Sequence, residues 1–232
     1  MCTNEIEDGL AKKGLRSKPQ LIAEALYKHD SEAKKVLDVG YAQHPNYHLT
    51  GEIIGVDIYT EHHPEHYERI DTVDLNLCAL PYEDGVFDAA TMGCVLAHVT
   101  NPLGLLNELH RVVKKDGYVV LSSPNPNYYW EQSLNTFFHF FKGRVAKSKF
   151  LEHFYEFTRY NMRTIADRAG FEVVDEVGVS FRIIKTPIVF QPRKYPGIAY
   201  EIVYVLKKTH DPEQYTICEL ADGRKKLPTM LK

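Results

Sequence analysis

The sequence predicts a three-layer α/β fold built on a mostly parallel sheet. Two observations carry that prediction. Short apolar runs alternate with longer segments of helical periodicity along most of the chain, and strands separated by helices or long connections belong to parallel sheets covered on both faces. A third observation locates a site: the first two apolar runs end in an Asp-x-Gly turn and in an acid, at the strand ends where open parallel sheets bind ligands.

The elements follow in order. Residues 18–33 carry Leu21, Ile22, Ala25 and Leu26 as a helical stripe. KVLDVG at 35–40 and IIGVDI at 53–58 are strand-like, 70–75 is a weaker third run, and VFDAATM at 86–92 a fourth. In 103–113, Leu105, Leu106, Leu109, Val112 and Val113 recur at three- and four-residue spacings. Asp116-Gly117 marks a turn before a fifth strand at 118–122. A helix at 161–169 is stopped by Gly170, and late strands are expected at 171–179 and 199–206. Two segments break this rhythm: 125–157 is crowded with Tyr, Trp and Phe, and 211–232 is a polar candidate tail. The chain is expected to form one domain over 1–232, with 1–34 an N-terminal helical segment.

Composition narrows function. Among 232 residues, 28 Lys and Arg against 31 Asp and Glu give a net charge of −3, with no basic excess to drive nucleic-acid binding. Cys2, Cys78, Cys94 and Cys218 form no C-x-x-C pair, which argues against a zinc site or disulfide framework and for a reducing, cytoplasmic setting. The acidic, polar N-terminus lacks the pattern of a signal peptide, and no apolar run has bilayer-spanning length. The run EHHPEH at 61–66 places His62 and His66 four apart, but Pro64 interrupts a helix between them; a solvated loop is expected and no metal.

The first strand's turn, Gly40-Tyr41-Ala42-Gln43-His44, has one glycine where a dinucleotide loop needs three. Asp38 before it would repel a pyrophosphate and suit a cationic ligand, or it is a plain turn residue. Asp57 follows Gly40 at a spacing suited to an acid that accepts from a ribose hydroxyl pair.

Taken together the motifs resemble the class I, seven-stranded, S-adenosylmethionine (SAM)-dependent methyltransferases, in the branch that acts on small molecules. VLDVG at 36–40 is similar to the family's first motif and GVD at 55–57 to its second-strand acid. DLN at 74–76 with LPYEDGVFD at 80–88, HVTNP at 98–102, and L-x-E-L-x-R-V-V-K-K-D-G ending at 117 match its later signatures, as do 123–125 and 153–171. The resemblance runs from about 35 to 174 in consistent order. It implies a Rossmann-like, mostly parallel seven-stranded sheet with an antiparallel C-terminal strand and an aromatic helical insertion after the fifth strand. It implies SAM as cofactor, S-adenosylhomocysteine as product and a small-molecule or lipid-like acceptor. Gly40, Tyr41 and Ala42 would let the methionyl part lie close, with Asp38 near its ammonium. Asp57 and Ile58 would hold the ribose, Asp74 and Leu75 the adenine, and Cys94 would line the pocket near the methyl.

His98 is placed as a base or a loop anchor, and His153 and Tyr155 as acceptor-facing residues. The insertion at 125–157 reads as a lid, then as a packed helical pair, then as a membrane-surface helix. Ala42 and His44 replace glycines usual in the family, which sustains an alternative: a methyltransferase-like protein that binds a ligand or partner without catalysis. A nicotinamide-dependent oxidoreductase is disfavoured by Asp38 and the missing loop glycines. The acceptor, the oligomeric state and the role of 181–197 are not specified by sequence.

Overall fold

The computed structural model describes residues 14–42, 44–61, 63–76, 79–128, 154–182, 189–213, 215–216 and 229–230. Helix α1 (Lys18–His29) precedes strands β1 (Lys35–Val39), β2 (Glu52–Asp57), β3 (Arg69–Thr72) and β4 (Phe87–Gly93). Helix α2 (Pro102–Val112) leads into β5 (Val113–Pro124), and α3 (Arg159–Arg168) into β6 (Phe171–Gly178). Strand β9 (Glu201–Lys208) completes the main sheet; β7 (Phe181–Arg182) with β8 (Val189–Phe190), and β10 (Tyr215–Thr216) with β11 (Thr229–Met230), form small antiparallel pairs.

The seven strands lie in the order β3-β2-β1-β4-β5-β9-β6. All neighbours are parallel except β9, which runs against both β5 and β6. The predicted mostly parallel sheet with one antiparallel C-terminal strand is therefore the observed one. The strand order reverses between β1 and β4, so the ligand crevice of such a sheet opens at the carboxyl ends of those strands.

Successive side chains of each central strand enter opposite cores. Val36, Ile53, Val120, Val203 and Val205 meet the α1 stripe of Leu21, Ile22, Ala25 and Leu26. Leu37, Ile54, Leu121, Ile202 and Tyr204 meet α2 through Leu105, Leu106 and Leu109, and α3 through Met162 and Ala166. Ser17, Asn101 and Thr158 each accept a backbone N–H through the side chain at the start of α1, α2 and α3, satisfying donors the first turn leaves open.

Three expectations change in detail. The weak third strand is shorter, ending at Thr72. The fifth strand begins at Val113, not 118: Asp116 sits at φ +62° inside the run, where the register against β4 shifts between Phe87 and Ala89, so the expected turn is a kink within a longer strand. The helix expected over 161–169 starts at Arg159, directly after its Thr158 cap.

Candidate functional site

At the end of β1 the chain turns at Gly40, with φ +73°. A Cβ there would lie 2.1 Å from Cγ2 of Val95, so conformation and space both require glycine. The same contact brings the turn after β4 against the turn after β1. Asp57, at the end of β2, fastens the arrangement: Oδ2 accepts from the Ala42 N–H (3.1 Å) and Oδ1 from the Tyr59 N–H (3.0 Å). Each oxygen keeps accepting capacity for a ligand. Ile58 and Tyr59 beside it are 49% and 67% exposed, an apolar surface next to an acid.

Asp38, expected near a ligand's ammonium, has its side chain on the core side of the turn. It is buried, accepting from Thr91 Oγ1 (2.7 Å) and from the Tyr67 hydroxyl. Burial raises its pKa from 3.8 to about 6, outweighing the Tyr67 and Thr91 hydrogen bonds. Tyr41 is also turned inward, its ring 5.3 Å from that of Tyr67, and Gly55 leaves room for both rings. The side chains of Asp38 and Tyr41 thus support the Gly40 turn from within.

On the β3 side, Asp74 accepts from the Asn76 N–H (2.9 Å), and Leu75 packs on the core. Asn76 Oδ1 accepts from the Thr100 N–H (2.7 Å) and hydroxyl (3.1 Å), tying this loop to the segment after β4. His98 is exposed at the end of the short turn 95–97. Ala97 O accepts from the Phe154 and Tyr155 N–H groups, and the Tyr155 hydroxyl donates to Thr100 O (3.0 Å). His98 and Tyr155 are thereby brought to one rim; His153, and 129–153 of the proposed lid, lie outside the described residues. In the 61–66 run, His62 lies outside the described residues, while His66 packs edge-on against Tyr67 (4.6 Å) and pairs with Asn46 O, so it is a packed residue rather than a solvated one.

Cys94 follows β4 at φ +60°, a conformation rare for a residue with a side chain. Its N–H donates to Ser122 Oγ (3.1 Å), and its thiol donates to Glu201 Oε1 (2.8 Å). Burial, reinforced by the Glu201 charge, pushes the thiol up to about 12, so it stays protonated at neutral pH. Glu201 also pairs with Lys18 Nζ (3.5 Å), and both side chains are nearly enclosed, at 11% and 6% exposed. His44 lies in the field of the same pair: burial and the Lys18 charge lower its pKa, and Glu201 opposes them.

Sequence reasoning missed Lys18 and Glu201. Their signals were a glutamate opening the apolar run 202–206 and a lysine at the first position of α1. Among the described residues, an open cleft at the opposite rim, lined in part by His110, Arg111 and Lys208, offers no spare cation. Arg111 is held by Glu108, Asp84 and two carbonyls, and Lys208 by two carbonyls.

Comparison with known proteins agrees with this geometry. A family model described as a methyltransferase domain matches residues 11–176. The demethylmenaquinone methyltransferase of Bacillus licheniformis is 39% identical over 77 residues, 31% of this chain and 33% of that protein. The 2-phytyl-1,4-naphtoquinone methyltransferase of Nostoc sp. is 35% identical over 100 residues, 38% of this chain and 42% of that protein. The chain therefore spans about a third to two fifths of the length of these curated relatives. Among solved structures, the 1,6-didemethyltoxoflavin-N1-methyltransferase of Burkholderia thailandensis, with bound 1,6-didemethyltoxoflavin and S-adenosylhomocysteine, aligns with a TM-score of 0.55 at 17% identity. That alignment covers 87% of this chain and 83% of that one.

Proposed function

Because the chain belongs to the methyltransferase-domain family, whose model spans residues 11–176, we propose that it is a SAM-dependent methyltransferase acting on a small apolar acceptor of the quinol or phenol type. The observation that carries this reading is the Gly40 turn, pressed against Val95 and tied to Asp57 at the point where strand order reverses. The quinone-type acceptor rests on the similarity to the demethylmenaquinone and 2-phytyl-1,4-naphtoquinone methyltransferases.

In this reading Asp57 accepts from the ribose hydroxyls, and Ile58 gives the sugar and base an apolar edge. Asp74 and Leu75 meet the adenine, Asp74 accepting from its amino group. Gly40 and Ala42 offer backbone to the methionyl end, while Asp38 and Tyr41 hold that turn in shape from the core side. Cys94 lines the pocket between turn and acceptor. Bound SAM supplies an electrophilic methyl on a sulfonium, so the protein needs no covalent nucleophile. Its own residues must align the acceptor, exclude water and manage a proton. His98 and Tyr155, joined at one rim, are candidates to contact the acceptor from outside.

Calorimetric titration with SAM and with S-adenosylhomocysteine tests the assignment. Micromolar affinity, roughly −8 kcal/mol, is expected. Asp57→Ala is expected to weaken it at least tenfold while the protein stays folded; unchanged affinity sinks the ribose assignment.

A further inference from the structure

We propose that Glu201, braced by Lys18 and Cys94, is the catalytic carboxylate that takes the acceptor's hydroxyl proton. The inference rests on the methyl-transfer reading and adds to it the group that handles the proton.

Place is the first argument. β9 runs antiparallel to β5, so its first residue, Glu201, pairs with Pro124 at the carboxyl end of β5. Glu201 therefore stands on the ligand edge of the sheet although it begins its own strand. Asp57 marks the cofactor side at β2, and the Gly40 turn lies over β1. Cys94, at the end of β4, touches Glu201 through its thiol, and its neighbour Val95 touches Gly40. The carboxylate thus sits two strands beyond the crevice, across the end of β5, on the side left for the acceptor.

Energetics is the second. A buried ion pair is poor value for stability, because the desolvation of two charges offsets most of their attraction. Lys18 and Glu201 are nearly enclosed yet 3.5 Å apart, a loose pair that gains less than a tight one. Among the described residues, both partners of the carboxylate, the Cys94 thiol and the Lys18 ammonium, engage Oε1. Oε2 remains to accept from a ligand, while the thiol and ammonium fix the rotamer.

The step balances simply. The acceptor's O–H proton passes to Glu201 Oε2. The electron pair left on oxygen, shared with the ring, forms the bond to the methyl. The methyl–sulfur bond breaks with its pair on sulfur, leaving a neutral thioether. The Lys18 ammonium offsets the negative charge that grows on the acceptor.

The test uses the S-adenosylhomocysteine-loaded protein and two fluorescent probes, 1-naphthol and 1-methoxynaphthalene, which differ by the hydroxyl proton. Wild type is expected to bind the naphthol at least tenfold more tightly than the ether. Glu201→Gln, and the double variant Lys18→Met with Glu201→Leu, are expected to discriminate less than twofold. Both variants should hold S-adenosylhomocysteine within threefold of wild type. The double variant leaves no unpaired buried charge, so it protects the result from simple misfolding. Discrimination that survives in the variants, or that is absent in wild type, overturns the role of Glu201 alone. A parallel loss of S-adenosylhomocysteine affinity in the variants marks Glu201 as scaffold and overturns it too. Failure of wild type to bind S-adenosylhomocysteine overturns the methyl-transfer reading and the inference with it.

Discussion

Asp38 is a carboxylate spent on the inside of a loop. Its partners are the Tyr67 and Thr91 hydroxyls, and burial outweighs them, so its pKa of about 6 lies above the ordinary 3.8. Between those values the folded protein keeps a proton that the unfolded chain has released. This group's contribution to stability therefore falls as pH rises from about 4 to 6, by on the order of 3 kcal/mol. Asp38→Asn, which stays neutral, is expected to flatten that slope and to gain on wild type as pH rises. Urea unfolding of both proteins at pH 4.5, 6 and 7.5 measures it, and parallel stability curves would contradict the assignment. From sequence Asp38 was visible as an acid before a glycine turn. The partners that turn it inward lie 29 and 53 residues away, so its direction was not.

Elements were the most legible level, because periodicity reports local geometry and burial together. Helix α2 illustrates it. Pro102 at its first position, the Asn101 cap and the stripe of Leu105, Leu106 and Leu109 are all readable in sequence, and all three leucines are buried. Leu106→Ala removes a fully buried side chain facing β-strand residues and is expected to cost about 2–5 kcal/mol. The denaturant midpoint measures that cost, and a loss below 1 kcal/mol would mean the layer collapses around the gap. Boundaries were less legible. The β5 start was missed because Lys114, Lys115 and Asp116 are polar and exposed, and the strand is carried back to Val113 by that residue's pairing with Phe87 across a register shift rather than by an apolar run.

At the scale of the molecule, the strand order gathers the ends of β1, β2, β4 and β5 and the start of β9 on one edge. A ligand that bridges several of these ends binds the folded chain alone and so stabilises it. S-adenosylhomocysteine at 100 times its dissociation constant should add about 2.7 kcal/mol. For a chain of 232 residues that corresponds to a rise of roughly 5–10 °C in Tm. Scanning fluorimetry reads it directly, and an unmoved Tm at saturating ligand would count against the proposed cofactor. The sequence by itself determined the fold class, the Gly40 turn and the acid at Asp57, because each is written in contiguous residues whose spacing is local. Only the tertiary structure decided the direction of Asp38 and the meeting of Lys18, Cys94 and Glu201. Those three come from α1, the end of β4 and the start of β9, separated by up to 183 residues. An antiparallel last strand delivers Glu201 to the ligand edge, and a contact that depends on strand order leaves no periodic trace in the chain.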